Sequence, residues 1–201
     1  MRRLLALVLL LVPIAPAKLP LDEFRARRAS LRKSLDGVLL LVARPEGPDE
    51  VFRTDQEANF YYLTGWSDPG SRLLVTPSKE ILFLSHHNER LEHFVGKRSS
   101  AEDADVHRLT GFDEVLPMER FEATLDKALS EHERVYTLPN STFGDKLKSL
   151  YPFRDISDAA PLIAKLRVKK SAAEVAAIQR ATDVSLEGHR AAWKRMAAGL
   201  Y

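Results

Sequence analysis

Apolar and polar positions change their period several times along the chain, and each change marks an element. Residues 4–12 are an unbroken apolar run behind Met1-Arg2-Arg3 and ahead of Ala15-Pro16-Ala17. A basic start, an apolar middle and a small-x-small end make an export signal of residues 1–17. As a helix the nine apolar residues rise only about 13 Å against a hydrocarbon core of about 30 Å, so no membrane anchor is expected to remain. After Pro20, Leu21, Phe24, Leu31 and Leu35 keep an approximately helical period with Arg and Lys between them, and Asp36-Gly37 closes the element. Residues 38–43 are a short continuous apolar run, the pattern of a strand buried on both faces. Residues 59–64, aromatic and closed by Gly65, read as a strand. The turn Ser67-Asp68-Pro69-Gly70 joins it to a second strand over residues 72–76, hairpin fashion.

Another strand over residues 81–84 puts three sequential strands side by side. Residues 89–108 show no period and read as irregular, whereas Phe121, Leu125 and Leu129 repeat at helical spacing. Strand character returns over residues 135–138 and 153–156, with helices over 142–151 and 158–167. The fold class is α/β, a mixed and partly antiparallel sheet covered by helices. Ser171-Ala172-Ala173-Glu174 is a capping box that opens a long C-terminal helix reaching Ala198, about 28 residues and 42 Å. On one face of it Ala177, Ala181, Val184, Gly188 and Ala191 follow steps of four and three, leaving room for another backbone. That face predicts an interaction. Without a partner its apolar side is expected to fray, self-pair or fold back on the domain.

Composition narrows the function classes. At 201 residues, 45% hydrophobic and 29% charged, the chain suits a globular domain. Thirty Lys and Arg against 28 Asp and Glu give a net charge of +2, and loss of residues 1–17 balances even that. Neither nucleic acid nor an acidic membrane surface is then an expected partner. The absence of cysteine excludes a disulfide framework, a thiolate metal site, a cysteine nucleophile and a lipoprotein anchor. The expected location is the periplasm or the medium.

Candidate chemistry is sparse. His86, His87 and His93 lie within eight positions and offer one reading, a metal-binding exported protein; the other is a set of polar loop histidines. Their spacing is no known zinc pattern, and neighbours on an extended segment point to opposite sides. Asp103 with Asp105, and Asp113 with Glu114, read as solvated turn residues. Nucleophile-elbow, dinucleotide and phosphate-loop motifs are absent. Phe60, Tyr61, Tyr62 and Trp66 could stack a base or a sugar, but alternation sends about half of them to the core.

Several stretches together resemble the N-terminal domain of the creatinase, prolidase and aminopeptidase P family. Arg53-Thr54-Asp55 leading into Asn59-Phe60-Tyr61-Tyr62-Leu63-Thr64-Gly65 is similar to a family signature, and Glu92-His93-Phe94-Val95-Gly96-Lys97-Arg98 to its acidic-aromatic-glycine-basic segment. Leu166-Arg167-Val168-Lys169-Lys170-Ser171, then Glu174, Ile178 and Ala181, resembles the junction with the family's catalytic domain, and Gly199-Leu200-Tyr201 the turn after its first helix. The resemblance implies a creatinase-like N-terminal domain over residues 18–168 and, over 169–201, a linker and the first helix of a catalytic pita-bread domain.

It also implies the function of an Xaa-Pro aminopeptidase, a metallopeptidase that releases the N-terminal residue preceding proline with two divalent ions, often manganese. The family holds those ions with two Asp, one His and two Glu in the catalytic domain. None maps onto this chain, and His189 is not that histidine. No cofactor and no catalytic residue is therefore expected here, and the chain alone is predicted inactive. In the family the N-terminal domain covers the active-site mouth and builds the oligomer. The implied partners are the catalytic domain, a second copy and, in the full-length form only, a peptide. Phe94, where relatives carry a substrate-proximal Trp, and Arg98 are the substrate-proximal candidates. The alternative is a stand-alone oligomerisation or partner-binding module acting through the small face of the last helix and the free edge of the sheet.

Overall fold

Strand β1, Val38–Val42, lies between an antiparallel neighbour, β2 at Arg72–Val75, and a parallel one, β5 at Arg134–Thr137. In this computed structural model, which describes residues 19–45, 56–139 and 141–196, the sheet continues with β3, Glu80–Leu84, and β4, Glu114–Pro117, on one side and β6, Asp155–Asp158, on the other. The spatial order is β4-β3-β2-β1-β5-β6. The export signal and residues 53–55 and 199–201 lie outside the described residues.

Side chains alternate across a strand, so the apolar run of β1 feeds two cores. Leu39 and Leu41 join Leu73, Val75, Leu82 and Leu84 on one face. Helices α1 (Leu21–Arg32), α2 (Ala58–Thr64), α4 (Val106–Thr110) and α7 (Ala160–Val168) cover it with Leu31, Phe60, Leu63, Val106 and Ile163. Val38, Leu40, Leu74, Ile81 and Phe83 face the other way, against Phe121, Leu125, Leu129 and Leu147 of α5 (Phe121–Glu131) and α6 (Thr142–Leu150).

Residues 59–64 are a helix and not the strand their aromatic content suggests. Glu57 accepts hydrogen bonds from the N–H groups of Asn59 and Phe60 at 3.1 and 2.6 Å, which caps α2. Gly65 ends it in the left-handed region at φ 64°, its N–H donating to the Tyr61 carbonyl. Helical spacing then buries Phe60, Leu63 and Thr64 together, and tertiary burial overrides β propensity. The strand beside β2 is therefore β1. The segment expected to be irregular holds two short helices, α3 (Glu89–Val95) and α4, whose caps Asn88, Gly96 and Gly111 are their only local signal. Strand β4 buries only Val115 and so carries no apolar run, yet it pairs parallel with β3.

The capping box opens α8, Ala172–Arg195, with both reciprocal hydrogen bonds formed. No residue of this helix is buried. It does not fold back on the domain, one of the outcomes expected of an unpartnered apolar side; the formed box and the Gln179 to Asp183 hydrogen bond at 2.8 Å support it locally. No helix among the described residues is long and apolar enough to cross a membrane.

Gly65 is where the fold tolerates least. A Cβ there would sit 2.5 Å from Phe24 Cε2, on a backbone that L side chains rarely adopt. Gly65→Ala is expected to lower stability by about 2–4 kcal/mol, combining the left-handed penalty with overpacking. Chemical denaturation reads it, and an unchanged midpoint contradicts the packing described.

Candidate functional site

Beyond β3 the chain presents His86 and His87 in succession, and they do point to different partners. His87 Nδ1 lies 2.8 Å from Glu92 Oε1 and its Nε2 3.0 Å from Asp103 Oδ1. His86 Nδ1 lies 3.1 Å from Glu102 Oε1 and its Nε2 2.9 Å from Glu119 Oε2. Each imidazole is thus bracketed by carboxylates on opposite ring nitrogens. His93 stands apart, edge-on to Phe94 at 5.4 Å. The paired divalent ions of the family need carboxylates converging on common points. This bracketing spreads them, and among the described residues no three His, Asp or Glu are grouped to hold a metal ion. The described residues do not fit the ions.

His87 is a latch. Both of its N–H groups can donate only when the ring is protonated, and the bonds to Asp103 first and Glu92 second raise its pKa above the ordinary 6.5. Glu92 is held low chiefly by His87; Asp103 is held low by the Ser100 N–H and then by His87. Asp103 is therefore not the merely solvated turn residue its sequence context suggests. Through His87 the end of β3 is tied to α3 and to the loop before α4.

Of the two substrate-proximal candidates, Phe94 projects to solvent at 74% exposure. Arg98 lines a cleft of about 100 Å³ with Asp68, Ser71, His86, Leu91 and Ser99. That cleft is smaller than the roughly 300 Å³ at which small-molecule ligand pockets begin. The structure thus brings Arg98 into a cleft with His86 and leaves Phe94 outside it.

The predicted interaction face is open. Ala181, Val184, Gly188 and Ala191 are exposed, Ala177 is half-buried, and a Cβ on Gly188 would meet nothing within 4 Å. At its first turn α8 meets the domain. Arg27 Nη2 of α1 pairs with Glu174 Oε1 at 3.2 Å, its Nη1 donates to the Tyr62 carbonyl at 2.9 Å, and its guanidinium lies 4.1 Å over the Tyr62 ring. Arg167, at the end of α7, approaches the same ring at 5.4 Å. Of the aromatic group, Phe60 and Trp66 enter the core while Tyr62 stacks on arginine. Sequence reasoning passes over Arg27, takes Asp103 for a solvated turn residue and meets Glu92 only inside the family-like segment; Glu174 had a signal of its own, its place in the capping box.

The model of a family described as aminopeptidase P, N-terminal domain, matches residues 24–136. The chain is 31% identical over 185 residues to an Xaa-Pro aminopeptidase of Haemophilus influenzae, covering 86% of this chain and 43% of that protein. It is 24% identical over 205 residues to an Xaa-Pro aminopeptidase of Escherichia coli, covering 90% and 46%. Zinc-substituted Escherichia coli aminopeptidase P in complex with product superposes with a TM-score of 0.77 at 22% identity, over 92% of this chain and 47% of that one. Pseudomonas aeruginosa aminopeptidase PepP gives the same score, identity and coverage. The chain spans less than half the length of these relatives.

The His87 latch has a pH signature. A raised histidine pKa stabilises the fold fully below 6.5 and loses that contribution as pH rises through the raised value; the lowered carboxylates contribute above their ordinary values and lose it as pH falls. The thermal midpoint of the parent minus that of His87→Gln is expected to be largest between the ordinary carboxylate range and the ordinary histidine value of 6.5. It shrinks on both sides, and a difference flat across pH 3 to about 9 is the contrary result.

Proposed function

The chain belongs to the aminopeptidase P family by its N-terminal domain, and from that premise we propose that it is the N-terminal, non-catalytic portion of an exported Xaa-Pro aminopeptidase-like metallopeptidase. The whole enzyme would release the N-terminal residue that precedes proline. The observation that carries this reading is the family match over residues 24–136, which falls on the sheet domain, while each relative extends to more than twice the matched length. Paired divalent ions, manganese among them, belong in this proposal to the part of the relatives that the chain does not span. Residues 18–168 then form the domain that borders the active-site mouth and joins copies into an oligomer, and residues 169–201 lead into the catalytic domain. Phe94 and Arg98 are the groups it would offer toward a peptide. Export to the periplasm or medium rests on the pattern of residues 1–17.

The alternative, a stand-alone oligomerisation or partner-binding module, is favoured by one observation, the uncovered small face of α8. The two readings differ in what the chain does alone.

Expressed with residues 1–17 in place, the product is expected outside the cytoplasm, starting at Lys18 by mass, and unable to turn over an Xaa-Pro peptide with manganese. Turnover that a chelator abolishes would overturn the non-catalytic assignment, and a cytoplasmic product starting at Met1 would overturn export. Light scattering separates the alternative: a monomer at high concentration counts against a self-associating module, and a concentration-dependent dimer lost in Gly188→Leu counts for it.

A further inference from the structure

A long helix that leaves a domain at one end is a lever. From Glu174 to Arg195, at 1.5 Å per residue, α8 reaches on the order of 32 Å, so a wobble of about 10° at its base moves the far end by about 5–6 Å. Catalysis that depends on groups from two parts of a protein tolerates displacements of only about 1 Å. The direction of such a helix must be fixed near its base, and no buried apolar contact does so here, because no residue of α8 is buried.

The groups at the base are few and well seated. The turn between α7 and α8 is Lys169-Lys170-Ser171, and both of its ends converge on Tyr62. Before the turn, Arg167 approaches the Tyr62 ring and donates to Asn59 Oδ1 at 3.2 Å, while Lys170 Nζ donates to the Arg167 carbonyl. After it, Glu174 uses both carboxylate oxygens: Oε2 accepts the Ser171 N–H at 2.8 Å, completing the cap, and Oε1 faces Arg27. Arg27 is contacted on more than one side, although its Nη2, 3.2 Å from Glu174 Oε1, makes an ion pair without a hydrogen bond. Its guanidinium carbon lies over the rings of Tyr62 and Phe24, 4.1 and 5.1 Å from their centroids, and it also donates to the Tyr62 carbonyl. The side chains of Arg27 and Glu174 are only 8% and 16% exposed, unlike the solvent-loosened pairs that add little. Among the described residues this is the only ion pair between α8 and the rest of the chain.

We infer that Arg27, held over the Tyr62 ring, is the positioning residue that sets the direction in which α8 leaves the sheet domain. Insofar as α8 leads into a catalytic half, the inference rests on the function proposed above, and Arg27 then acts on catalysis only by placement. Lysine is a poor substitute, because an ammonium offers no plane to lie on the ring.

The chain has no cysteine, so nitroxide labels on Lys148→Cys and Arg190→Cys report one distance between α6 and α8 without further change. In the parent the distance distribution is expected to be narrow. Glu174→Gln keeps the cap, since an amide oxygen also accepts the Ser171 N–H, but removes the charge; its distribution is expected to widen about twofold with helix content and thermal midpoint unchanged. Arg27→Gln is expected to do the same, and Arg27→Lys to fall between. Distributions as narrow as the parent's in both glutamine variants would overturn the inference, as would a parent distribution already broad. Should Arg27→Gln fail to fold, Glu174→Gln decides alone, because it lies outside the sheet. Peptidase turnover by the chain would sink the proposed function and leave this distance measurement untouched, so the two failures are distinguishable.

Discussion

Two adjacent guanidinium groups on α1 organise one side of this molecule. Successive helix residues point about 100° apart, so Arg28 turns into the protein while Arg27 turns along its flank. Arg28 is fully buried, and desolvation lowers its pKa despite the Glu80 carboxylate 3.1 Å away. An unpaired charge in that position would cost several kcal/mol, so its partners are obligatory. It donates to the carbonyls of Leu63 and Gly111 at 2.9 and 3.0 Å and lies over the Phe112 ring, 3.8 Å from its centroid. Those carbonyls end α2 and α4, where helix dipoles favour a cation. One buried charge thus gathers α1, α2, α4 and β3, and Arg27 one position earlier extends the same construction to α8.

What could be read from the sequence was whatever burial writes locally. The runs that became β1, β2 and β3 are apolar because both sheet faces are covered, and Phe121, Leu125 and Leu129 repeat because α5 has one wet side. The capping box of α8 is likewise four residues long and self-contained. Residues 59–64 misled because Phe, Tyr and Thr favour strands, whereas the deciding features were a glutamate cap before them and a left-handed glycine after. The short helices α3 and α4 pack too little apolar surface to leave a period. The arginines of α1 read as a solvent face, since no pattern within one helix distinguishes a guanidinium aimed at carbonyls 35 and 83 positions away.

The candidate site divides along the same line. The adjacency of His86 and His87 predicted opposite orientations, and in the structure each ring has its own pair of carboxylates. Their carboxylate partners come from α3, the loop before α4 and the turn Met118–Arg120, and only the folded sheet brings these together. Phe94 and Arg98 became candidates only through family resemblance, because an exposed aromatic or a single arginine carries no local signal. The sheet domain and α8 also differ in what holds them. The domain is over-determined by two cores, while α8 leaves apolar side chains such as Trp193 at 66% exposure. Helical stability in proteins comes mainly from a packed face, and α8 lacks one within the described residues.

That contrast explains why a single glutamate serves twice in α8. If Glu174 only capped the helix, α8 could form and still point anywhere; if it only paired with Arg27, the direction would be fixed for a helix free to unwind at its start. Sharing its two oxygens between the Ser171 N–H and Arg27 makes formation of the first turn and choice of direction one event. Cooperative nucleation strengthens the coupling, because the first turn is the costly one and everything beyond follows its axis. The sheet domain therefore need not touch most of α8 to control it. Control of the base suffices, provided the aromatic ring beneath Arg27 does not move, and Tyr62 cannot easily move, being carried by a helix whose neighbours Phe60 and Leu63 are sealed in the core.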